Sequence, residues 1–586
     1  MNAATDELPA LLSRLAAKRV RLQLDGATLR VNGPVAELDA ALREELKHRK
    51  PEIIAWLRDS QSPNASTSPA GSASVGNAKS VCPKLAETSF RQDAVLAHSG
   101  QAHTGLGNTI PRRSDEAKSL ITTNQRRLLR LSQLRGADSL YTIPLAFVAP
   151  PGLDETRLRQ ALQELHDRHE SLRMAFPGWD ARSSSSPVNA ASPASPGPFA
   201  EPQHAVIHPV GTPLEWIVED AVAATAESRL RTLVCRPFPL ATGPLWRAIL
   251  IRVDLGRPLL GFAFHHTIFD GFSRAVFLRD LTALYAARET PVARETPVAG
   301  ETPVADRPQS PARQFGDYAA WAAAPAQAAR RERDRIYWEQ RFSQPVVPLR
   351  LPADRAPSAG LASNLAQSAA NRTPDGAGCV VAAPQTELGR RLAETARGWR
   401  VSPAAILLSA VAASMYRHTG QTELLTCVPL ANRDAAGFAD AIGFFNTAAP
   451  LLVAVRPELS GRRLVDQVNR QLLEAASHPW LELDQIMGLP NLSRAPLNRL
   501  LFSYQEVNDS EWRIGGERLA PCPLRKDAAD FGLAFQFELG PDGLRLILDF
   551  DSSLFSPEAA ASVRQRVERS IMALIEQSDA SVDSLP

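Results

Sequence analysis

Apolar residues crowd the run LWRAILIRVDLGRPLLGFAF, from Leu245 to Phe264, without the three-to-four spacing of an amphipathic helix. Such a run reads as buried strand, and it ends on two adjacent histidines, His265 and His266. Other stretches follow clear periods. Glu155–Arg168 places Leu158, Leu162 and Leu165 on one face of a helix, and Ser402–Tyr416 is apolar over a helical length. Phe531–Leu539 and Leu544–Phe550 alternate in the manner of strands. Near the start, Leu8–Leu15 has a helical period, Val20–Leu24 alternates strictly, Asp25-Gly26 supplies a tight hairpin turn, and Leu29-Arg30-Val31 returns. Asn32-Gly33-Pro34 ends that strand, and helical patterns follow at Leu38–His48 and, after Pro51, at Ile53–Leu57.

These patterns divide the chain. Residues 1–60 form a small helix–hairpin–helix–helix unit with too little core for catalysis and no candidate acid, base or nucleophile pair. Residues 61–115, rich in Ser, Ala, Asn, Gly and Pro, read as a flexible linker. Two further low-complexity pieces, a Ser/Pro/Ala loop over 182–202 and three copies of E-T-P-V-A over 289–305, read as surface insertions. At 586 residues, two or three compact units are expected.

Composition removes several function classes. The formal net charge is +2, with no basic stripe interleaved with aromatics, which argues against nucleic acid as a partner. Cys82, Cys235, Cys379, Cys427 and Cys522 are scattered without a C-x-x-C pair, so neither a disulfide frame nor a metal site is expected. No apolar run approaches 18 residues and no apolar leader stands near the N-terminus, so the expectation is a cytoplasmic protein without a membrane partner.

The chemistry concentrates in His265-His266-Thr267-Ile268-Phe269-Asp270-Gly271. A side chain leaving a strand into a loop protrudes while its backbone stays fixed, which suits a general base. Asp270 is close enough to orient a neighbour or pair with a cation, and Gly271 allows backbone amides to approach a reacting atom. Two core histidines beside a surface aspartate would be the plain alternative.

The segment resembles the H-H-x-x-x-D-G motif of the condensation domains of non-ribosomal peptide synthetases. Thr122–Leu128 (TTNQRRL) is similar to the family's first motif, S-x-A-Q-x-R-L, and Arg168–Phe176 (RHESLRMAF) to its second. Phe238–Leu245 (FPLATGPL) matches the run before the histidines, and Asp317–Trp321 and Tyr337-Trp338 match the fourth motif and the pair behind it. Ile442–Thr447 (IGFFNT) is one residue short of the fifth, and Ser493–Leu497 (SRAPL) resembles the seventh. The sixth is eroded to its leading His478.

The resemblance implies an α/β (α+β) fold of two chloramphenicol-acetyltransferase-like lobes in a V-shaped pseudo-dimer, running from 116 to 348 and from 349 to 586. The histidine loop would lie midway along a tunnel entered from each side by a carrier-borne phosphopantetheine arm. His266 would hydrogen-bond the nucleophile and take its proton, His265 would hold the loop, and the Gly271 amide would face the oxyanion. Asp270 would point into a salt bridge with Arg433, while Asn446 and Arg494 match motif positions as either site or structural residues. No bound cofactor or metal is implied.

Residues 1–60 resemble the N-terminal β-hairpin docking domains of megasynthase subunits, which capture a short linear motif at a partner's C-terminus. Lys18, Arg19, Arg21 and Arg30 suit strand addition with charge steering. There is no adenylation-type loop, and Ile514-Gly515-Gly516-Glu517 lacks the serine of a carrier motif. The expectation is a free-standing condensation enzyme that meets acyl or peptidyl carrier proteins in trans. It resembles the chain-releasing kind that ends hybrid polyketide–peptide lines, with either an ester or an amide as product and a small-molecule or carrier-bound acceptor. A CoA-dependent acyltransferase of the same superfold and a non-catalytic recruiting module are the rival readings.

Overall fold

A computed structural model describes residues 21–25, 28–32 and 112–585, apart from 136–140, 180–201, 255, 289–310, 312, 356–376, 434–436, 493–494, 508–511, 523 and 525–530. The chain separates into two compact units, Met1–Ser89 and Phe90–Pro586. In the first, Arg21–Asp25 and Thr28–Asn32 form an antiparallel hairpin that carries Arg21 and Arg30. Asp25 is the last paired residue, opposite Thr28, rather than a turn residue. Lys18, Arg19, the three expected helices, the linker up to residue 111 and most of both low-complexity pieces lie outside the described residues.

The second unit is built on two large sheets. The N-terminal one is ordered Ala520–Pro521, Thr142–Val148, Leu259–His265, Trp246–Val253, Glu215–Ala221. The Leu245–Phe264 run is therefore a hairpin of two central strands, with Trp246 opposite Phe264. Its apolar residues are continuous because both sheet faces are covered. Phe262 and Phe264 meet Phe277 of the Gly271–Ala286 helix edge to face. The alternate face packs on Ala223–Val234, so closely that a Cβ on Gly261 would lie 2.5 Å from Leu230. Strand alternation puts His265 on that second face.

The other sheet has six strands, ordered Ala377–Val381, Gly543–Asp551, Leu533–Gly540, Leu500–Glu506, Glu423–Leu430, Thr447–Ala454. One face presents Phe502, Phe535, Phe537, Leu546, Leu548 and Phe550 to the core. The opposite face carries Ser503, Gln505, Gln536, Glu538 and Arg545. The Pro403–Thr419 helix is buried along most of its length, which explains its unbroken apolar sequence. Ser402 caps it by accepting from the Ala405 amide at 3.1 Å, and Gly420 ends it at φ 69°. Among the described residues no single helix is long and apolar enough to cross a membrane.

Segments exchange between the two cores. Phe438–Phe445 and Trp512–Leu519 pack into the N-terminal core, and Ala520–Pro521 joins its sheet. In the other direction, Trp338, Phe342 and Val346 pack into the C-terminal core. The chain enters the unit under restraint: Arg113 reaches both oxygens of Glu170, and its amide donates to Asp317 Oδ1 at 3.0 Å.

Candidate active site

The Leu259–His265 strand ends at His265, and His266–Ile268 form one 3₁₀ turn. Asp270 then caps the Gly271–Ala286 helix, accepting from the Ser273 amide at 2.8 Å. This strand–turn–cap sequence holds the two histidines in different environments. His265 is fully buried between Tyr141 and Phe238. Its Nδ1 accepts from the Thr267 amide at 3.3 Å and lies 2.7 Å from the Thr267 hydroxyl. Burial, with His266 adding to it, pushes its pKa down to about 3, so the ring stays neutral.

His266 is half-buried, and its ring meets the edge of Phe444 at 4.9 Å between centroids. Its Nδ1 lies 2.8 Å from the Phe269 carbonyl oxygen. A carbonyl only accepts, so Nδ1 carries the proton and Nε2 carries the lone pair. This is the tautomer that a proton acceptor requires.

Asp270 faces away from His266 into a buried junction between the lobes. Its Oδ1 accepts from Arg433 Nη2 at 2.9 Å and from the Ser273 hydroxyl at 2.8 Å, and its Oδ2 accepts from the Phe445 amide at 3.0 Å. Arg433 also donates to the carbonyls of Phe438 and Ala441 and lies over the rings of Phe272 and Phe445. Desolvation lowers the Arg433 pKa, opposed by Asp270. Asn432, at φ 46° in a region that asparagine tolerates, donates to the Tyr318 hydroxyl at 2.8 Å.

Gly271 is the first helical residue and is exposed. The cap engages the third amide of the helix and leaves the Gly271 amide outside that bond. A Cβ at Gly271 would come 3.3 Å from Gln505 Oε1 on the opposite lobe. Asn446 contributes its backbone oxygen, which accepts from Asn124 Nδ2 at 3.1 Å. Arg494 lies outside the described residues. The histidine loop, Asp270, Gly271 and Arg433 are thus brought together, with Asn446 at their edge.

Three further residues shape the site. Gln125, fully buried, donates to the Thr267 carbonyl at 2.9 Å and so ties the TTNQ segment to the histidine turn. Ser273 bridges the lobes by accepting from the Gly443 amide at 3.1 Å. Phe444 supplies the wall beside His266. The signal for Gln125 was present in its motif, but nothing local in sequence pairs it with a turn more than a hundred residues away. Among the described residues no group of three or more His, Cys, Asp or Glu side chains could hold a metal ion.

Buried neutral histidines give the fold an acid sensitivity. His166, which accepts from Trp246 Nε1 at 2.9 Å, is pushed down to about 3 by burial, as His265 is. Both folded-state values lie below the ordinary value near 6.5, so the unfolded chain takes up protons that the native state refuses. Stability is full above pH 6.5 and falls as the pH drops toward 3. Between pH 7 and 5 the two histidines together should cost about 4 kcal/mol. Urea midpoints that do not change between pH 7 and 5 would rule this out.

Comparison with known proteins places these features. A condensation-domain family model matches residues 116–187 and 212–586, and a TubC N-terminal docking-domain model matches residues 9–59. Chondramide synthase cmdD of Chondromyces crocatus is 28% identical over 478 residues, which is 79% of this chain and 11% of that synthase. The chain thus spans a small part of that curated relative. Among solved structures, the condensation domain of the Monacolin K polyketide synthase MokA aligns with a TM-score of 0.63 at 16% identity, covering 80% of this chain and 99% of the other. The X-domain from teicoplanin biosynthesis aligns at 0.61 and 22% identity, covering 81% and 99%. At these identities the likeness to both structures is one of fold: the two lobes are of the chloramphenicol-acetyltransferase type.

Proposed function

We propose that this chain, which belongs to the condensation-domain family, transfers an acyl or peptidyl chain from a carrier protein's phosphopantetheine thioester to a hydroxyl or amine acceptor. Members of the family are acyltransferases of non-ribosomal peptide synthesis. The observation that carries the reading is the His266 tautomer, with Nδ1 donating to Phe269 and Nε2 left basic beside Phe444. In the proposed reaction the acceptor's oxygen or nitrogen attacks the thioester carbonyl as its proton passes to His266 Nε2. The tetrahedral oxyanion is met by amides at the start of the Gly271–Ala286 helix. Collapse breaks the C–S bond, and the departing thiolate recovers a proton, leaving ester or amide and free phosphopantetheine thiol. The thioester is already activated, so alignment of the two reactants and one proton acceptor supply most of what is needed. No bound cofactor takes part.

An intact histidine loop favours this reading over a non-catalytic recruiting module. Intact-mass spectrometry of an acyl-loaded carrier, incubated with the enzyme and a panel of amines and alcohols, tests it directly. Loss of the acyl mass only when a nucleophile is present supports transfer, and a carrier that stays loaded with every acceptor opposes it.

Residues 1–60 are proposed to capture a short motif at the carrier's C-terminus by adding a strand to the Arg21–Asp25/Thr28–Asn32 hairpin. Tethering raises effective concentration without touching the chemistry. Removal of residues 1–60 should therefore raise the carrier KM by about tenfold or more and leave kcat at saturation unchanged. An unaltered KM would remove the docking role.

A further inference from the structure

The family's sixth motif survives in this chain only as His478, and the residues in its place build a surface of their own. The His478 ring stacks flat on Tyr337 at 3.9 Å, and its carbonyl accepts from Trp338 Nε1 at 3.2 Å. Two residues on, the Trp480 amide donates to Oδ2 of the buried Asp334 at 2.8 Å. The loop is thus pinned at both ends and presents Trp480 half-buried at the surface. Trp321, near the end of the Phe315–Ala323 helix, meets that ring edge-on at 5.1 Å between centroids. Arg330, in the first turn of the Ala328–Arg341 helix, stands 5.2 Å from the Trp480 centroid and 5.8 Å from that of Trp321.

Apolar surface continues from the two tryptophans, with Ala323, Pro325 and Ala326 exposed where the two helices join. Tryptophan and arginine at the centre of such a patch are the make-up of a protein interface. Its charge is one-sided. Among the described residues Arg330 has no acidic partner, whereas Glu332 and Glu339 are engaged by Arg335, Asp334 by Arg333, and Asp484 by Arg127. Glu482 is half-buried and bonded to Thr123, with Arg126 and Arg331 near it, and Glu474 stands beside Tyr337. The patch also lies close to the reaction centre. The Trp321 ring is 6.1 Å from that of Tyr318, which packs on Phe445, the neighbour of Phe444 at His266. The Thr123–Arg135 helix spans the same interval, with Gln125 on the Thr267 carbonyl and Arg127 on Asp484.

From these observations we infer that the Trp321–Trp480–Arg330 surface docks the body of a carrier protein, through a helix that presents an apolar side chain between acidic ones. The inference rests on the transfer reaction proposed above and adds a contact separate from the one proposed for residues 1–60. The apolar side chain would settle against the tryptophan edges, and the acids would meet Arg330, the cation left without a counter-charge. The pinned loop holds this arrangement before a partner arrives, so little order is lost on binding. The surface is a feature of this chain rather than of the family's motif, because Trp480 stands where the motif has lost its usual letters.

The test uses the full chain and an acyl-loaded carrier domain whose C-terminal tail has been removed, so that residues 1–60 do not mask the effect. Trp480→Ala and Arg330→Glu should each raise the carrier KM by about tenfold or more with kcat unchanged, and Arg330→Lys should keep most of the affinity. The acyl N-acetylcysteamine thioester, which has no carrier to dock, should react at the wild-type rate in all three. The wild-type carrier KM should rise with salt, and that of Arg330→Glu should rise less. Arg330 is exposed, so its variants report even where Trp480→Ala fails to fold. An unchanged carrier KM in Arg330→Glu, a salt-independent wild-type KM, or equal losses on carrier and small thioester would overturn the surface. Calorimetric binding of the unloaded holo carrier separates this inference from the transfer reaction. Weaker binding by both variants, in an enzyme that transfers to nothing, would keep the surface and remove the reaction. Equal binding by wild type and both variants, with transfer intact, would remove the surface alone.

Discussion

Replacing His266 with alanine is expected to reduce transfer from an acylated carrier by a factor of about 10²–10⁴, the usual contribution of a positioned acid–base group. The fold should survive. The ring is half-buried, and what it loses is the Nδ1 bond to the Phe269 carbonyl and an edge contact with Phe444. A neutral hydrogen bond contributes about 1 kcal/mol net, which is small against the stability of a domain this size. The readout is single-turnover loss of the acyl mass, compared between an alcohol and an amine. An alcohol is a poor nucleophile until its proton leaves, so the alcohol reaction should suffer more than that of an already neutral amine. Full turnover by the variant with a hydroxyl acceptor would show that His266 is not the base. An equal loss with both acceptors would shift its role toward holding the nucleophile in place.

Local pattern foretold the elements around the site closely. The helix over Glu155–Arg168 forms at those bounds with Leu158, Leu162 and Leu165 buried, because a repeated apolar face leaves little choice of register. Boundaries were less legible where a turn competes. Asp25, expected in a turn, is still paired in the strand opposite Thr28, and the strand expected from Phe531 begins at Leu533. Periodicity could not foretell which distant loops meet. Phe438–Phe445 and Trp512–Leu519 cross to the N-terminal core, and through that crossing Phe444 reaches His266 and Gly443 reaches Ser273. The pairing of Asp270 with Arg433 spans 163 positions, and only the family's motif order hinted at it. Gln505 escaped notice for the opposite reason. Its strand alternates as any half-polar strand does, and its place follows from the Gly271 that faces it on the other lobe.

Asp270→Ala should lose activity by a different route from His266→Ala, through the packing of the lobes. The carboxylate is completely buried and accepts four hydrogen bonds, from Arg433, the Ser273 amide, the Ser273 hydroxyl and the Phe445 amide. Alanine leaves the Arg433 cation buried without its carboxylate, held by the Ser273 hydroxyl and the Phe438 and Ala441 carbonyls, and removes the cap of the Gly271–Ala286 helix. Breaking one side of such a pair costs about 3–5 kcal/mol, and losing the cap adds about 1 kcal/mol. Denaturant unfolding should show the loss directly, and transfer should fall because both the histidine turn and the Gly271 amide are held by this junction. The double variant Asp270→Ala/Arg433→Met separates structure from chemistry. It removes the stranded charge and should recover much of the stability, since an apolar replacement of a buried ion pair is often tolerated. If stability returns and transfer returns in part, Asp270 acts through the fold. An Asp270→Ala protein as stable as wild type yet inactive would instead place the carboxylate in the chemistry, a role its orientation away from His266 argues against.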